Sequence, residues 1–354
     1  MGKNLYQNLT IVCFLFFFSC KKESNPVGPP ISYGAKVFVV CEGSLGNGNA
    51  QLDLYDALKD SCYQNAFEQV NGFPLGDVFQ SMNFIDGKYF LCINNSDKIQ
   101  VMDTLLHSIT TIGIAKPRYI VPVANNKAFV SSLFGNDVYV MNTSSFQIED
   151  TIQLPFKNSE GMLVVDNDVW VCAWDTANES LYKINAITHL VEDSFSIGVS
   201  APQEIILDKE NKAWVLSGNV TKGKSATLSR VDLATKQVLQ TYSFPSTADV
   251  IKPVFNNAKD TLYFIEVNYK GGTNNNGIYR MNIHDNQLPT QAFIPALPNQ
   301  YFWALGISPW NGDVYVGDPK GFIQKGSVTI YGTDGLAKKK FACGVGPGHF
   351  YFVP

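Results

Sequence analysis

The sequence predicts an all-β protein, a seven-bladed β-propeller of four-stranded blades. Three observations support this prediction. A strand with a central aromatic residue recurs seven times along the chain. Successive aromatic centres are 39 to 52 residues apart, which agrees with the period of about 40–50 residues expected of a four-stranded blade. The C-terminus also supplies a strand that the N-terminal blade lacks, so the ring is expected to close.

The repeated unit contains two recognisable strands joined by a short loop. Both are rich in β-branched and aromatic residues and alternate apolar with polar positions, which favours strands, and the Asn, Asp, Gly and Pro clusters between them favour turns. The first strand is centred on Phe38, Phe90, Phe129, Trp170, Trp214, Tyr263 and Tyr315. The second strand ends at Asp56, Asp103, Asn142, Asn185, Asp232, Asn282 and Gly332. No part of the mature chain shows a helical period, so no helix is predicted there.

The two ends of the chain are predicted to share one blade. Later blades open with a further strand before the aromatic one, as in PRYIVPV from Pro117, whereas the first blade begins directly at Lys36. A segment similar to PRYIVPV appears at the other end of the chain, as PGHFYFVP from Pro347 to Pro354. A C-terminal strand in blade 1 would leave the ring without an open edge.

The N-terminus is predicted to be an export signal. Lys3 supplies a positive charge, the apolar segment Leu9–Phe18 follows, and Ser19 and Cys20 stand where cleavage is expected. An apolar run of about ten residues is too short to span a bilayer. A Cys directly after such a run resembles a bacterial lipoprotein signal, in which the equivalent of Cys20 carries the lipids; simple secretion is the alternative. The predicted organisation is a signal peptide at 1–19, a lipidated Cys with a flexible tether at 20–34 and the propeller at 35–354.

Charge, cysteines and histidines argue against several functions. The formal net charge is −4 and no Lys/Arg run suggests a basic surface for nucleic acid, so no nucleic-acid partner is expected. The remaining cysteines have no CxxC spacing and are expected to be buried, although one disulfide is conceivable. His107, His189 and His284 occupy equivalent turns in different blades, too far apart to converge on a metal or a nucleophile. We therefore predict a protein that is not an enzyme, with no metal and no cofactor.

A ligand site is predicted at one mouth of the central channel, where the loops between blades meet the loops between second and third strands. The starts of the innermost strands place there Phe79, Gln80, Arg118, Glu160, Gln203, Glu204, Lys252, Trp303 and His349. The other loops add Asn94, Asn95, Phe134, Trp174, Tyr269 and Phe322. Aromatic platforms mixed with amides and charges suit a large ligand with apolar faces and polar edges. Structural roles in loops, or an acid/base or cation-binding role for Glu160 and Glu204, remain open alternatives.

Several segments resemble the YncE-like, YVTN-repeat propeller lipoproteins of Bacteroidetes, often grouped as DUF5074. They are GDVFQSMNF from Gly76, NSDKIQVMD from Asn95, KPRYIVPV from Lys116, KAFVSSLFGNDVYVMN from Lys127 and the C-terminal FACGVGPGHFYF. The resemblance covers nearly the whole mature chain. It implies an outer-membrane lipoprotein, exposed on the cell surface or facing the periplasm, that captures a nutrient for a TonB-dependent transporter.

Cobalamin or another corrinoid is the first ligand that this resemblance implies. Its flat face would contact Trp174, Tyr269, Trp303 or Phe322, and its amide rim would meet Asn94, Asn95, Gln203 and Arg118. Two other classes of function stay open. One is a lactonase-like or quinoprotein-like propeller enzyme with a cation held by Glu160, Glu204 and Asp77. The other is a protein-binding scaffold that uses the aromatic mouth.

Overall fold

The computed structural model describes residues 36–268 and 276–353. Within these residues the strands, in chain order, are β1 (Lys36–Cys41), β2 (Gln51–Asp56), β3 (Ser61–Tyr63), β4 (Phe79–Ile85), β5 (Lys88–Ile93), β6 (Lys98–Met102), β7 (Ser108–Gly113), β8 (Pro117–Val123), β9 (Lys127–Ser132), β10 (Asp137–Asn142), β11 (Ile148–Gln153), β12 (Ser159–Val165), β13 (Asp168–Ala173), β14 (Ser180–Asn185), β15 (Val191–Ser196), β16 (Pro202–Leu207), β17 (Ala213–Asn219), β18 (Lys224–Asp232), β19 (Gln237–Ser243), β20 (Asp249–Phe255), β21 (Thr261–Val267), β22 (Gly277–Asn282), β23 (Ile294–Pro295), β24 (Ala304–Ile307), β25 (Val314–Asp318), β26 (Lys325–Tyr331), β27 (Ala337–Val345) and β28 (Pro347–Phe352).

The strands of this described part form seven antiparallel sheets of four strands each, which confirms the predicted seven-bladed propeller. Six blades take four consecutive strands from the channel outwards, from β4–β7 to β24–β27. Blade 1 has the order β28-β1-β2-β3. Phe38 of β1 pairs with Tyr351 of β28, so the predicted closure by the C-terminal strand is also confirmed.

The hydrophobic core lies between blades, in seven clusters within the described residues. Each cluster joins two neighbouring blades. The cluster that closes the ring joins blade 7 to blade 1 through Tyr315 and Val37. The seven aromatic centres predicted from the repeat are all buried. The repeat is thus a packing signature, because each blade must cover the apolar face of the next.

One short helix, α1 (Ala66–Asn71), corrects the expectation that the mature chain has none. It begins after blade 1 and buries Ala66 and Phe67 in the interface with blade 2. Gly72, with φ 75, ends it through a bond from its backbone N–H to Glu68. Six residues are too few to show a helical period in the sequence. No helix in the described residues has the length and apolar character needed to cross a membrane.

Candidate functional site

Bulges in the innermost strands direct side chains towards the channel mouth. In six blades of the described structure the pairing between the innermost strand and its neighbour shifts near the start of the innermost strand. The residues in these bulges include Gln80, Arg118, Glu160, Gln203, Lys252 and Gly348. A bulged residue leaves the regular ladder, and its side chain is re-aimed. The recurring bulge therefore brings polar side chains from separate blades to one place.

The mouth encloses a cavity of about 470 Å³. We call this the mouth cavity; it is lined by Glu42, Leu45, Val78, Gln80, Asn94, Asn95, Arg118, Tyr119, Leu133, Phe134, Trp174, Gln203, Glu204, Ile251, Lys252 and Trp303. A neighbouring cavity of about 370 Å³ shares Trp174, Gln203, Ile251 and Trp303 with it and adds Phe322. Both volumes are typical of small-molecule pockets, and the shared wall makes the two parts of one larger site.

Arg118 and Glu160 form a buried ion pair at one side of the mouth cavity. Arg118 Nε donates to both carboxylate oxygens of Glu160, at 2.9 and 3.0 Å. Its Nη1 donates to Gln80 Oε1. Burial raises the pKa of Glu160, and the Arg118 charge opposes this. Burial alone would lower the pKa of Arg118, but the Glu160 carboxylate reverses the direction. The guanidinium is therefore engaged by the protein itself.

Two tryptophans form fixed apolar walls. Trp303 Nε1 donates to Glu42 Oε1 at 2.9 Å, and Trp174 Nε1 donates to the carbonyl oxygen of Gly218 at 2.7 Å. Phe322 meets Trp303 edge-on, with ring centroids 5.3 Å apart. Because the indole N–H groups are satisfied within the protein, the rings present mainly their apolar surfaces to the cavity.

Glu204 and Lys252 differ from the other charged groups of the mouth cavity. Neither side chain makes a hydrogen bond or an ion pair with another described residue. Burial raises the pKa of Glu204, and the charge of Lys252 partly opposes that effect. The Lys252 charge acts in the same sense on Glu42 and Glu160, so Lys252 lies within electrostatic range of three carboxylates.

A close approach of two strands sets the position of Glu204. Gly161 in the bulge of β12 lies against β16, and a Cβ atom at Gly161 would stand 2.8 Å from the carbonyl oxygen of Gln203 and 2.9 Å from Glu204 Cα. Glycine is therefore required for the inner strands of blades 4 and 5 to meet at this distance. His349 of β28 lies in the same channel, where burial and the charge of Lys252 lower its pKa to about 4.

Most of the predicted site residues reach the mouth. The mouth cavity is lined by the predicted Gln80, Asn94, Asn95, Arg118, Phe134, Trp174, Gln203, Glu204, Lys252 and Trp303, and Phe322 lines the neighbouring cavity. The side-chain amide of Asn94 donates to the carbonyl oxygen of Pro117, and that of Asn95 donates to Asp77 Oδ2. Both residues therefore connect neighbouring loops. Tyr269 and Cys20 lie outside the described residues.

Three predicted residues do not line either cavity. Phe79 is fully buried and packs in the core between blades 1 and 2, which corrects its expected place at the mouth. Glu160 is fully buried behind Arg118. His349 is near enough to Lys252 for that charge to lower its pKa, but it lines neither cavity. The cause is the alternation of side chains along the inner strands, which places only some of the residues near each bulge on the cavity.

Sequence reasoning missed Glu42, Tyr119 and Ile251. Glu42 follows β1 as Asn94 follows β5 and Trp174 follows β13, so applying the same position to blade 1 would have found it. Tyr119 shares a bulge with Arg118, and Ile251 precedes Lys252. These two were missed because the bulges were not visible in the sequence.

The hypothesis of a channel cation finds no support in the geometry. In ranges 36–268 and 276–353, no three His, Cys, Asp or Glu side chains form a group that could hold a metal ion. Glu160 is committed to Arg118, and Asp77 Oδ2 accepts from the backbone N–H of Gly46 and from Asn95. The five cysteines of the described part are free thiols, so the conceivable disulfide does not form there.

The fold and the mouth cavity define a β-propeller with a small-molecule-sized channel mouth. Residues 35–352 match the family described as "Domain of unknown function (DUF5074)", and the chain belongs to that family. No curated protein matches the chain.

Solved structures share the fold at low sequence identity. A quinonprotein alcohol dehydrogenase-like protein of Bacteroides thetaiotaomicron is 15% identical, with a TM-score of 0.68, over 91% of this chain and 79% of that chain. The dihydro-heme d1 dehydrogenase NirN, in complex with DHE, is 8% identical, with a TM-score of 0.61, over 91% and 75%. A streptogramin B lyase is 13% identical, with a TM-score of 0.52, over 74% and 82%. At these identities the likeness is one of fold alone.

Proposed function

We propose that this protein is a non-enzymatic receptor that captures a small molecule at the channel mouth. One observation carries the proposal: the mouth cavity combines fixed tryptophan walls with the side chains of Gln203, Glu204 and Lys252, whose polar groups bond to no other described residue. These three side chains are half-buried, and polar groups partly removed from water without protein partners favour a ligand that supplies them. A rigid ring also holds these groups in place before binding, which lowers the entropy lost on association.

The more specific proposal is a lipid-anchored outer-membrane protein that captures a nutrient for a TonB-dependent transporter, with a corrinoid such as cobalamin as the first candidate. The lipoprotein-like signal ending at Cys20 and the resemblance of the mature chain support this role. A corrinoid is too large to enter the mouth cavity, so it would lie across this cavity and its neighbour, over Trp174 and Trp303. A lipid anchor would keep the receptor near its transporter and raise the effective concentration of each for the other.

The exposed rim of the mouth suits contact with a partner protein during transfer. Leu45 and Phe134 are 76% and 68% exposed, and both line the mouth cavity. Large exposed apolar side chains beside a pocket are typical of interaction surfaces. A transporter that contacts this rim would reach the bound molecule at the same time.

Isothermal titration of the chain from Ser24 onward with cyanocobalamin tests the proposal. Tight binding that is lost in the double variant Trp174→Ala/Trp303→Ala is the expected result. Trp310→Ala is the matched control, because Trp310 lies in the turn between β24 and β25, at the end of the blade away from the mouth, and should leave binding unchanged. Absence of heat with micromolar protein would remove cobalamin as the ligand. Equal loss in the control variant would remove the mouth as its site.

A further inference from the structure

Glu204 and Lys252 both line the mouth cavity and form no ion pair with each other. The Lys252 charge is near enough to lower the pKa of Glu204. Because the two side chains form no ion pair, Lys252 Nζ lies more than 4.0 Å from both carboxylate oxygens of Glu204. The cavity therefore contains a positive and a negative group separated by a gap.

Other charges near this gap already have partners. Arg118 is bound to Glu160 and Gln80, and Glu42 accepts the indole N–H of Trp303. Glu204 and Lys252 keep their bonding capacity for whatever occupies the cavity. Removing a charged group from bulk water without giving it a hydrogen-bonding partner costs free energy. A ligand that bonds to both Glu204 and Lys252 therefore gains more binding free energy than a ligand that bonds to only one of them.

The backbone holds Lys252 in an unusual conformation. Its φ is 55°, and among the described non-glycine residues with positive φ it is the one that lies within a strand. The bulge of β20, where pairing shifts between Ile251 and Val254, produces this conformation. Strained conformations of this kind persist where the surrounding structure enforces them, often at ligand sites.

Apolar surface lies beside the two charges. Trp174, Ile251 and Trp303 line both the mouth cavity and its neighbour. A group that fits here needs an N–H donor with positive charge for Glu204, an oxygen acceptor with negative charge for Lys252, and an apolar part for the indole walls. A purely cationic group would leave Lys252 unsatisfied, and a purely anionic group would face Glu204.

We infer that the mouth cavity takes a zwitterionic group of the α-amino-acid class with an apolar side chain. Its ammonium group contacts Glu204, its carboxylate contacts Lys252, and its side chain lies against Trp174 and Trp303. This inference rests on the proposed capture of a small molecule at the mouth and adds the chemistry of the group that reaches Glu204 and Lys252. A larger ligand lying across both cavities would present such a group to them only if it carries an ammonium and a carboxylate, which cobalamin does not.

Four related probes test the two contacts separately. L-phenylalanine carries both charges, N-acetyl-L-phenylalanine lacks the positive one, L-phenylalaninamide lacks the negative one, and N-acetyl-L-phenylalaninamide lacks both. Titration calorimetry of the chain from Ser24 onward should give the highest affinity for L-phenylalanine. Loss of either charge should weaken binding about tenfold or more, the usual effect of losing a hydrogen bond to a charged group.

Two variants then assign each charge to its residue. Glu204→Gln should remove the preference for L-phenylalanine over its N-acetyl derivative while keeping the preference over the amide. Lys252→Gln should do the reverse. Glu179→Gln and Lys259→Gln change exposed residues and are the matched controls, and melting curves of all four variants check that they fold.

Two results would overturn the inference. One is no binding of L-phenylalanine at millimolar concentration by the folded wild-type chain, and the other is preferences that neither Glu204→Gln nor Lys252→Gln changes. Titration with cyanocobalamin in the same series separates this inference from the proposed function. Corrinoid binding without L-phenylalanine binding overturns the zwitterion and leaves the receptor. If the predicted preferences among the four phenylalanine probes appear but cyanocobalamin does not bind, the zwitterionic site is supported and a corrinoid is excluded as the ligand.

Discussion

Replacing Arg118 by Met should destabilise the propeller strongly. The Arg118 side chain is 14% exposed and its partner Glu160 is 0% exposed. Arg118→Met removes two hydrogen bonds from the Glu160 carboxylate and one from Gln80. Methionine fills much of the volume of the arginine stem, so the main effect is a buried carboxylate left without its partner rather than a cavity.

The expected loss is about 3–5 kcal/mol of the free energy of unfolding, the usual cost of removing one member of a buried ion pair. For a domain spanning residues 35–352, an unfolding entropy of roughly 2.1 cal/mol/K per residue corresponds to about 0.7 kcal/mol per degree. Arg118→Met should therefore lower Tm by about 4–7 °C. The double variant Arg118→Met/Glu160→Gln removes both charges and should recover most of that loss.

Differential scanning calorimetry at pH 7, with a second scan to test reversibility, provides the measurement. Lys339→Met is the control, because the pair of Lys339 with Asp60 is exposed and should change Tm little. A Tm for Arg118→Met within about 1 °C of the wild type would refute the reasoning, since it would mean that Glu160 is solvated or protonated without cost. A double variant as unstable as the single variant would show that lost packing, not unpaired charge, causes the effect.

Four further perturbations test other parts of the structure. Glu204→Gln should raise the free energy of unfolding at pH 7 by about 0.5–2 kcal/mol and should change it little near pH 4. The reason is that a raised carboxyl pKa destabilises the fold only once the pH exceeds the pKa of the unfolded state, 4.5. Thermal melts between pH 4 and pH 7 would show the difference. The lowered pKa of His349 makes stability fall as pH drops from 6.5 towards about 4, so His349→Gln should reduce that loss, and NMR titration of the ring should give its pKa. Gly161→Ala should force β12 away from β16. The loss in binding free energy at the mouth cavity, measured by titration calorimetry, should exceed the loss in free energy of unfolding. Deleting Pro347–Pro354 removes β28 from blade 1 and should abolish cooperative unfolding in calorimetry; a cooperative transition in the truncated chain would contradict closure of the ring.

Blade number and ring closure were predictable because they depend on local pattern and self-similarity. Each aromatic strand, such as that around Trp214, buries its central ring against the next blade, so the pattern survives in every repeat. The mouth was predictable to the extent that loop positions in a propeller share one face. Applying the same positions to every blade predicted Gln203, Glu204 and Trp303 at the mouth, and these residues line the mouth cavity.

The sequence by itself determined the architecture: seven similar units, an aromatic core between them and a C-terminal strand that completes blade 1. Only the tertiary structure decided which polar side chains pair between neighbouring blades, as Arg118 does with Glu160, and which stay available, as Glu204 and Lys252 do. The physical reason is the distance along the sequence over which each interaction acts. Strand periodicity and turn chemistry act between neighbours in sequence, whereas a bulge at Lys252 and an ion pair between β8 and β12 depend on distances that exist only after separate blades have packed into a ring.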